Sequence, residues 1–198
     1  NKKYALKCID AGVDAIVAEG FEAGGHNGHD EITSLCLIPQ IKSIIDIPLI
    51  AAGGIGSGSS MLAAMSLGAD GVQIGSLFAS SKESSAHKNF KEHIINAKDN
   101  DTKLTLKEIT PVRLLKNEFY NKVIDAYNNN ATKNDLIKLL SKGRAKKGMF
   151  EGDTIHGELE IGQISGMINS SKPVSEIFKD LINDFNLHNS RTSSIYLE

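Results

Sequence analysis

Apolar residues gather in three short runs rich in small and β-branched side chains, Asp14-Ala-Ile-Val-Ala-Glu19, Ile47-Pro-Leu-Ile-Ala-Ala52 and Asp70-Gly-Val-Gln-Ile-Gly75. Each has the length of a strand. Around them the spacing changes to that of helices. An amphipathic stretch closes at Ala11-Gly12, Ser34 to Ile45 carries Leu35, Ile38, Ile41, Ile44 and Ile45, and Met61 to Leu67 closes at Gly68. Gly12 and Gly68 stand where a helix end favours positive φ. The helix-to-strand joint repeats, because Ala11-Gly-Val-Asp-Ala-Ile-Val17 and Leu67-Gly-Ala-Asp-Gly-Val-Gln73 are near-copies. Strands that alternate with helices predict right-handed crossovers and a parallel sheet buried on both faces.

From about Lys82 the pattern becomes helical. Glu83 to Ala97 reads as a helix, a Lys/Asn/Asp-rich connection follows, and a second helical run extends from Asn117 to about Leu140. Asn128-Asn-Asn130 and Lys142-Gly-Arg-Ala-Lys-Lys147 read as solvated turns, and a last helix covers Val174 to Phe185 before a polar, fraying tail from Leu187 to Glu198.

Composition narrows the function classes. The chain has 198 residues, with 22 Lys+Arg against 24 Asp+Glu and a net charge of −2. Charges of both signs are spread along it, which argues against nucleic acid or an anionic membrane as partner. No apolar run reaches a membrane span and the first residues lack a signal-peptide core, so a soluble, cytoplasmic protein is expected. Two cysteines, Cys8 and Cys36, are too few for a disulfide scaffold or a four-ligand zinc site, and are expected to be reduced, partly buried thiols.

The candidate chemistry lies in the loops that leave the carboxyl ends of the three strands, the rim where parallel α/β folds hold ligands. Gly53-Gly54, with Ser57 or Ser59 set to cap the following helix, offers backbone N–H groups and a positive helix end to an anion. Gly75-Ser76 at the next strand end adds a free N–H and a hydroxyl. Two such loops at consecutive strands make the phosphate site of a (β/α)8 barrel. Glu22-Ala-Gly-Gly-His-Asn-Gly28 sets one imidazole, His26, among residues small enough for a flat ligand to reach the backbone, and that imidazole can exchange a proton near neutral pH. Glu22 could orient a ligand hydroxyl or the loop itself. A His26/His29 metal pair lacks an accompanying carboxylate or thiolate at ligand spacing, so no metal site is assigned. A serine-hydrolase elbow is absent, and Gly53-Gly-Ile-Gly-Ser-Gly58 does not have dinucleotide spacing.

Taken together, Ala18-Glu-Gly-Phe-Glu-Ala-Gly-Gly-His-Asn-Gly28, Ile47-Pro-Leu-Ile-Ala-Ala-Gly-Gly-Ile55 and Leu67-Gly-Ala-Asp-Gly-Val-Gln-Ile-Gly-Ser76 resemble the nitronate monooxygenase family, also called 2-nitropropane dioxygenases. The resemblance continues through Lys82-Glu-Ser84, Pro111 to Asn117 and Gly162-Gln-Ile-Ser-Gly166. It implies an FMN-dependent (β/α)8 barrel whose flavin phosphate is held at Gly53, Gly54, Gly75 and Ser76, with Ala23, Gly24 and Gly25 lining the ring. His26 matches the family's active-site histidine. The implied reaction oxidises an alkyl nitronate with O2 to a carbonyl compound and nitrite.

The FMN-dependent enoyl-acyl-carrier-protein reductases share the glycine-histidine loop and take hydride from NAD(P)H. Overall likeness favours the monooxygenase. A non-catalytic phosphate-binding barrel is the third reading. Family members carry barrel strands ahead of the glycine-histidine loop, so the chain is expected to be the C-terminal portion of a longer enzyme. Residues 1–80 would form the closing βα units of an α/β barrel, and residues 81–198 a mostly helical segment packed on barrel and active site. The expected partners are the small-molecule nitronate and O2, with a homodimer as the candidate assembly.

Overall fold

The computed structural model describes residues 1–194. Helix α1 (Lys2–Asp10) leads into strand β1 (Ile16–Glu19), and the loop beyond it contains the two-residue strand β2 (Gly25–His26). Then come α2 (Ser34–Lys42), β3 (Leu49–Ala52), α3 (Gly58–Ser66), β4 (Gly71–Gln73) and the single turn α4 (Ser76–Ala79). β1, β3 and β4 form a parallel sheet in that order, with Ala18 beside Ala51 and Ala52 beside Gln73. Gly12 and Gly68 take φ of +75° and +105°, which turns the chain from helix end into strand at both near-copies.

Alternation along the strands decides what each face does. Ile16, Ala18, Leu49 and Ala51 point to the helices and pack with Ala5, Leu37, Ile38, Ile41 and Ala64 in one core. Glu19, Ala52 and Gln73 lie at the carboxyl ends of the three strands and border a cavity.

The second half differs from expectation at several places. After α5 (Lys88–Ile95), the stretch expected to be a polar connection folds as strands β5 (Thr102–Thr105) and β6 (Val112–Leu115). β6 pairs antiparallel with β5 on one side and with β2 on the other, Val112 lying opposite His26. All four β6 side chains are buried, which stabilises a strand that its polar surroundings conceal. The helical run after Asn117 is two helices, α6 (Glu118–Asn128) and α7 (Lys133–Leu140), because Asn129 and Asn130 end the first and Thr132 starts a capping box with Asp135.

The basic stretch expected as a solvated turn contains α8 (Arg144–Met149). Its first side chain is anchored: Arg144 lies 4.5 Å over the Phe119 ring and donates to the carbonyls of Leu139, Leu140 and His156. A 3-10 turn (Gln163–Met167) and α9 (Val174–Thr192) complete the fold. α9 runs well into the segment expected to fray, and the last part of that segment, residues 195–198, lies outside the described residues. Cys36 is exposed on α2 and Cys8 half-buried on α1. Among the described residues no helix is long and apolar enough to cross a membrane.

Candidate active site

The loop after β1 is held from three directions. Glu22 folds back onto the start of α2, where the Ser34 N–H donates to both carboxylate oxygens at 3.0 Å. Its carboxylate thus faces a helix N-terminus and ties the loop to α2. Asn27, almost fully buried, donates through Nδ2 to the carbonyls of Ala23 (2.9 Å) and Gly25 (3.1 Å), curling the glycines around its own side chain. Arg113 of β6 supplies the third anchor. Its guanidinium donates to the Phe21 carbonyl through Nη2 (2.9 Å) and Nε (3.3 Å) and stacks 4.5 Å from the Phe21 ring. Burial pushes the Arg113 pKa down, against the opposing pull of the Glu22 and Glu31 carboxylates.

These anchors shape one wall of a cavity of about 350 Å³, within the range of cofactor pockets. Ala23, Gly24, Gly25, Gly53, Gly54, Gly75 and Ser76 all line it. Facing them are Phe90, Met149, Glu160, Ile161 and Gly162. The two walls are tied together, since Gln163 N donates to Glu22 O and Gly162 N to Ser76 Oγ, each at 2.9 Å.

The glycines are small for different reasons. A Cβ on Gly24 would sit 2.3 Å from the Ile161 carbonyl carbon, and Gly53 combines φ of +85° with the Gly20 oxygen only 2.7 Å from its would-be Cβ. The fold requires both. Gly75 has φ of −92° and nothing within 4 Å of such an atom, so the chain's own packing does not require a glycine there. The open space in front of it belongs to the cavity. Among the described residues, the amides of Gly54 and Gly75 make no hydrogen bond. The residues present are of a kind that could hold a phosphate: two unpartnered N–H groups and the Ser76 hydroxyl, whose oxygen accepts from Gly162 and whose proton is left to donate.

One expectation about this phosphate site needs correction. The N-terminus of α3 does not open into the cavity. Ser57 and Ser60 close a capping box there, and Asp184 of α9 accepts from Ser59 N at 2.8 Å. The positive helix end is neutralised by the protein's own carboxylate.

His26 is not brought into the same cavity. It follows Gly25 on β2 and so points to the other side, into an adjacent cavity of about 220 Å³ lined by Thr110, Val112, Arg144, Glu158 and Glu160. Glu160 borders both spaces, with Oε2 against Gly25. Burial raises its pKa, and the nearby His26 partly offsets that rise. Burial and the neighbouring Glu160 push Glu158 up to about 7, with Arg144 pulling the other way.

Arg113, Asn27, Glu158 and Glu160 were given no role by the sequence. Asn27 and Arg113 do lie inside segments that carry the family resemblance, the glycine-histidine loop and Pro111 to Asn117, whereas the only signal for Glu158 and Glu160 was the Glu-Leu-Glu-Ile alternation just ahead of the second glycine-punctuated segment.

A family model described as nitronate monooxygenase matches residues 2–184. A probable nitronate monooxygenase of Staphylococcus aureus strain Newman is 46% identical over 103 residues, covering 48% of this chain and 29% of that protein. Among solved structures, FabK from Thermotoga maritima is 35% identical with a TM-score of 0.90, over 98% of this chain and 61% of that one. Nitroalkane oxidase from Streptomyces ansochromogenes is 29% identical with a TM-score of 0.78, over 97% and 57%. The chain thus spans under two thirds of these relatives, and its parallel unit has the fold of part of their (β/α)8 barrel.

Proposed function

The chain belongs to the nitronate monooxygenase family, and from that premise we propose that it carries the cofactor-phosphate and substrate-facing part of an FMN-dependent enzyme that oxidises alkyl nitronates with O2 to a carbonyl compound and nitrite. In this reading residues 1–80 close the barrel and the described residues from 81 on, 81–194, pack over it to wall the site. The observation that carries it is the open space at Gly75, flanked by free amides and the Ser76 hydroxyl, in a cavity that also collects Ala23, Gly24, Gly25, Gly53 and Gly54.

A bound flavin would supply the redox chemistry, taking electrons from the substrate and passing them to O2. The protein's part is position and protons. Gly54 N–H, Gly75 N–H and Ser76 Oγ–H would hold the phosphate. Gly24 and Gly25, on a loop held in shape by Asn27 and Arg113, would leave the backbone open to the ring. The smaller cavity takes the substrate, where a ring nitrogen of His26 removes the α-proton of a neutral nitroalkane; a nitronate has already lost it.

The test is direct. The complete protein should purify yellow, release FMN on denaturation, and consume oxygen with propyl-2-nitronate. A colourless preparation that does not take up FMN refutes the reading. The likeness to FabK supports a second one, an enoyl-acyl-carrier-protein reductase, which requires rapid flavin reduction by NADH or NADPH in an anaerobic stopped-flow trace. A protein that binds a phosphorylated metabolite in place of FMN would be a binding module.

A further inference from the structure

Among the described residues lining the larger cavity, the titratable side chains are Glu19, Glu22 and Glu160, with no Lys, Arg or His. Glu22 accepts twice from the Ser34 amide at the start of α2. Glu160 has its backbone fixed by a bridge to Leu114, its side chain is half-buried, and Oε2 rests against Gly25 on the boundary between the two cavities. The groups that face it are His26 from β2, Glu158 two residues before it, and Glu19 and Glu22 on the far walls of the larger cavity. Arg144 lines the smaller cavity too, but its guanidinium is spent on three carbonyls and the Phe119 ring. A small oxyanion entering between the cavities therefore meets a carboxyl group at close range and no uncommitted cationic side chain except His26.

We propose that Glu160 is a proton-carrying binding residue for an anionic substrate: as the carboxylic acid it donates a hydrogen bond to the oxyanion, and as the carboxylate it repels it. The idea rests on the proposed nitronate chemistry, since a nitronate is the anion of a nitroalkane. Its consequence is that the site takes up a proton as it binds the anion, whereas a neutral nitroalkane binds without one. Burial, which already favours the protonated form of Glu160, acts in the same direction.

The experiment uses nitrate, a planar oxyanion that does not react, titrated into the FMN-loaded protein by calorimetry in buffers of different ionisation enthalpy, which counts protons. The dissociation constant is expected to rise about tenfold per pH unit on the alkaline limb, with about one proton taken up per nitrate. Glu160→Gln should flatten that limb and abolish the uptake. Glu158→Gln and His26→Asn should keep it, which separates Glu160 from the two neighbouring groups that could carry the proton instead. Absence of nitrate binding, binding without uptake in His26→Asn, or uptake that survives Glu160→Gln would each overturn the proposal. Should Glu160→Gln fail to fold, loss of uptake in Glu158→Gln with its retention in wild type assigns the proton to Glu158 and has the same force. A yellow protein that oxidises nitronates but binds nitrate without a proton refutes only the role of Glu160, whereas a protein that takes up no FMN refutes the proposed function.

Discussion

Replacing Gly75 by alanine separates what the fold needs from what a ligand needs. The backbone there is in the right-handed region, φ −92° and ψ −67°, and a Cβ meets nothing within 4 Å. Lower unfolded-chain entropy favours alanine by about 0.4–1 kcal/mol. The position precedes α4, where glycine is the better cap by a similar amount. The two effects offset, so the urea midpoint should correspond to a change within about 0.5 kcal/mol of zero. Ligand binding should respond very differently. In the proposed reading the new methyl stands in the way of the phosphate at the Gly75 N–H, and loss of a charge-assisted hydrogen bond is worth about 1.5–3 kcal/mol, or roughly 10- to 100-fold in the FMN dissociation constant. FMN fluorescence quenching measures it. As a reference, Gly24→Ala drives a Cβ into Ile161 and should lower stability and FMN affinity together. An unchanged FMN affinity in Gly75→Ala, or a stability loss above about 1.5 kcal/mol, would show that the open space is not the phosphate cradle.

His26→Asn should leave FMN bound and slow turnover of neutral nitroalkane about 100-fold while sparing the nitronate; equal loss on both substrates excludes a base role. Arg113→Met leaves the Phe21 carbonyl unpaired and should destabilise by about 1–3 kcal/mol, read as a lower urea midpoint with weaker FMN binding. Glu158 has a folded pKa of about 7 against an ordinary 4.5, so the folded state holds its proton longer and stability falls as pH rises from about 4.5 through 7. Glu158→Gln should then be near neutral at pH 5 and stabilising by about 3 kcal/mol at pH 8, and a stability difference independent of pH would contradict the assignment. Asp153 behaves in the opposite sense. Hydrogen bonds from the His156 amide and Lys147 hold its carboxyl well below the usual range, so its contribution is present at neutral pH and lost as pH falls; Asp153→Asn should flatten the acid limb of a thermal-midpoint profile.

The parallel unit was legible because its strands are covered on the helix side and read as apolar runs, and because the glycine-closed joints at Gly12 and Gly68 repeat. β5 escaped notice because Thr102-Lys-Leu-Thr105 is half polar within a Lys/Asn/Asp-rich stretch. β2 is two residues long and exists through its pairing with β6, a contact that no local pattern encodes. The glycine loops could be read from composition alone. The direction of His26 could not, since it depends on which side of β2 faces the cavity, and neither could the anchoring of Phe21 by Arg113 across 92 residues. The helix-end part of the phosphate site failed for a related reason: the carboxylate that occupies it arrives from α9.

That arrival has a kinetic side. Ser59 and Asp184 are 125 residues apart, and Gly58 lies so close to Phe185 N and Leu181 O that no side chain fits between α3 and α9. Contacts this far apart in sequence close a large loop, which is slow. Before α9 docks, the Ser57–Ser60 capping box can already stand, but the Ser59 amide lacks its carboxylate and is open to another anion. Docking of α9 supplies that carboxylate, so in the proposed reading the preference for a phosphate at Gly54, Gly75 and Ser76 is expected to depend on a helix that contributes nothing to that cradle.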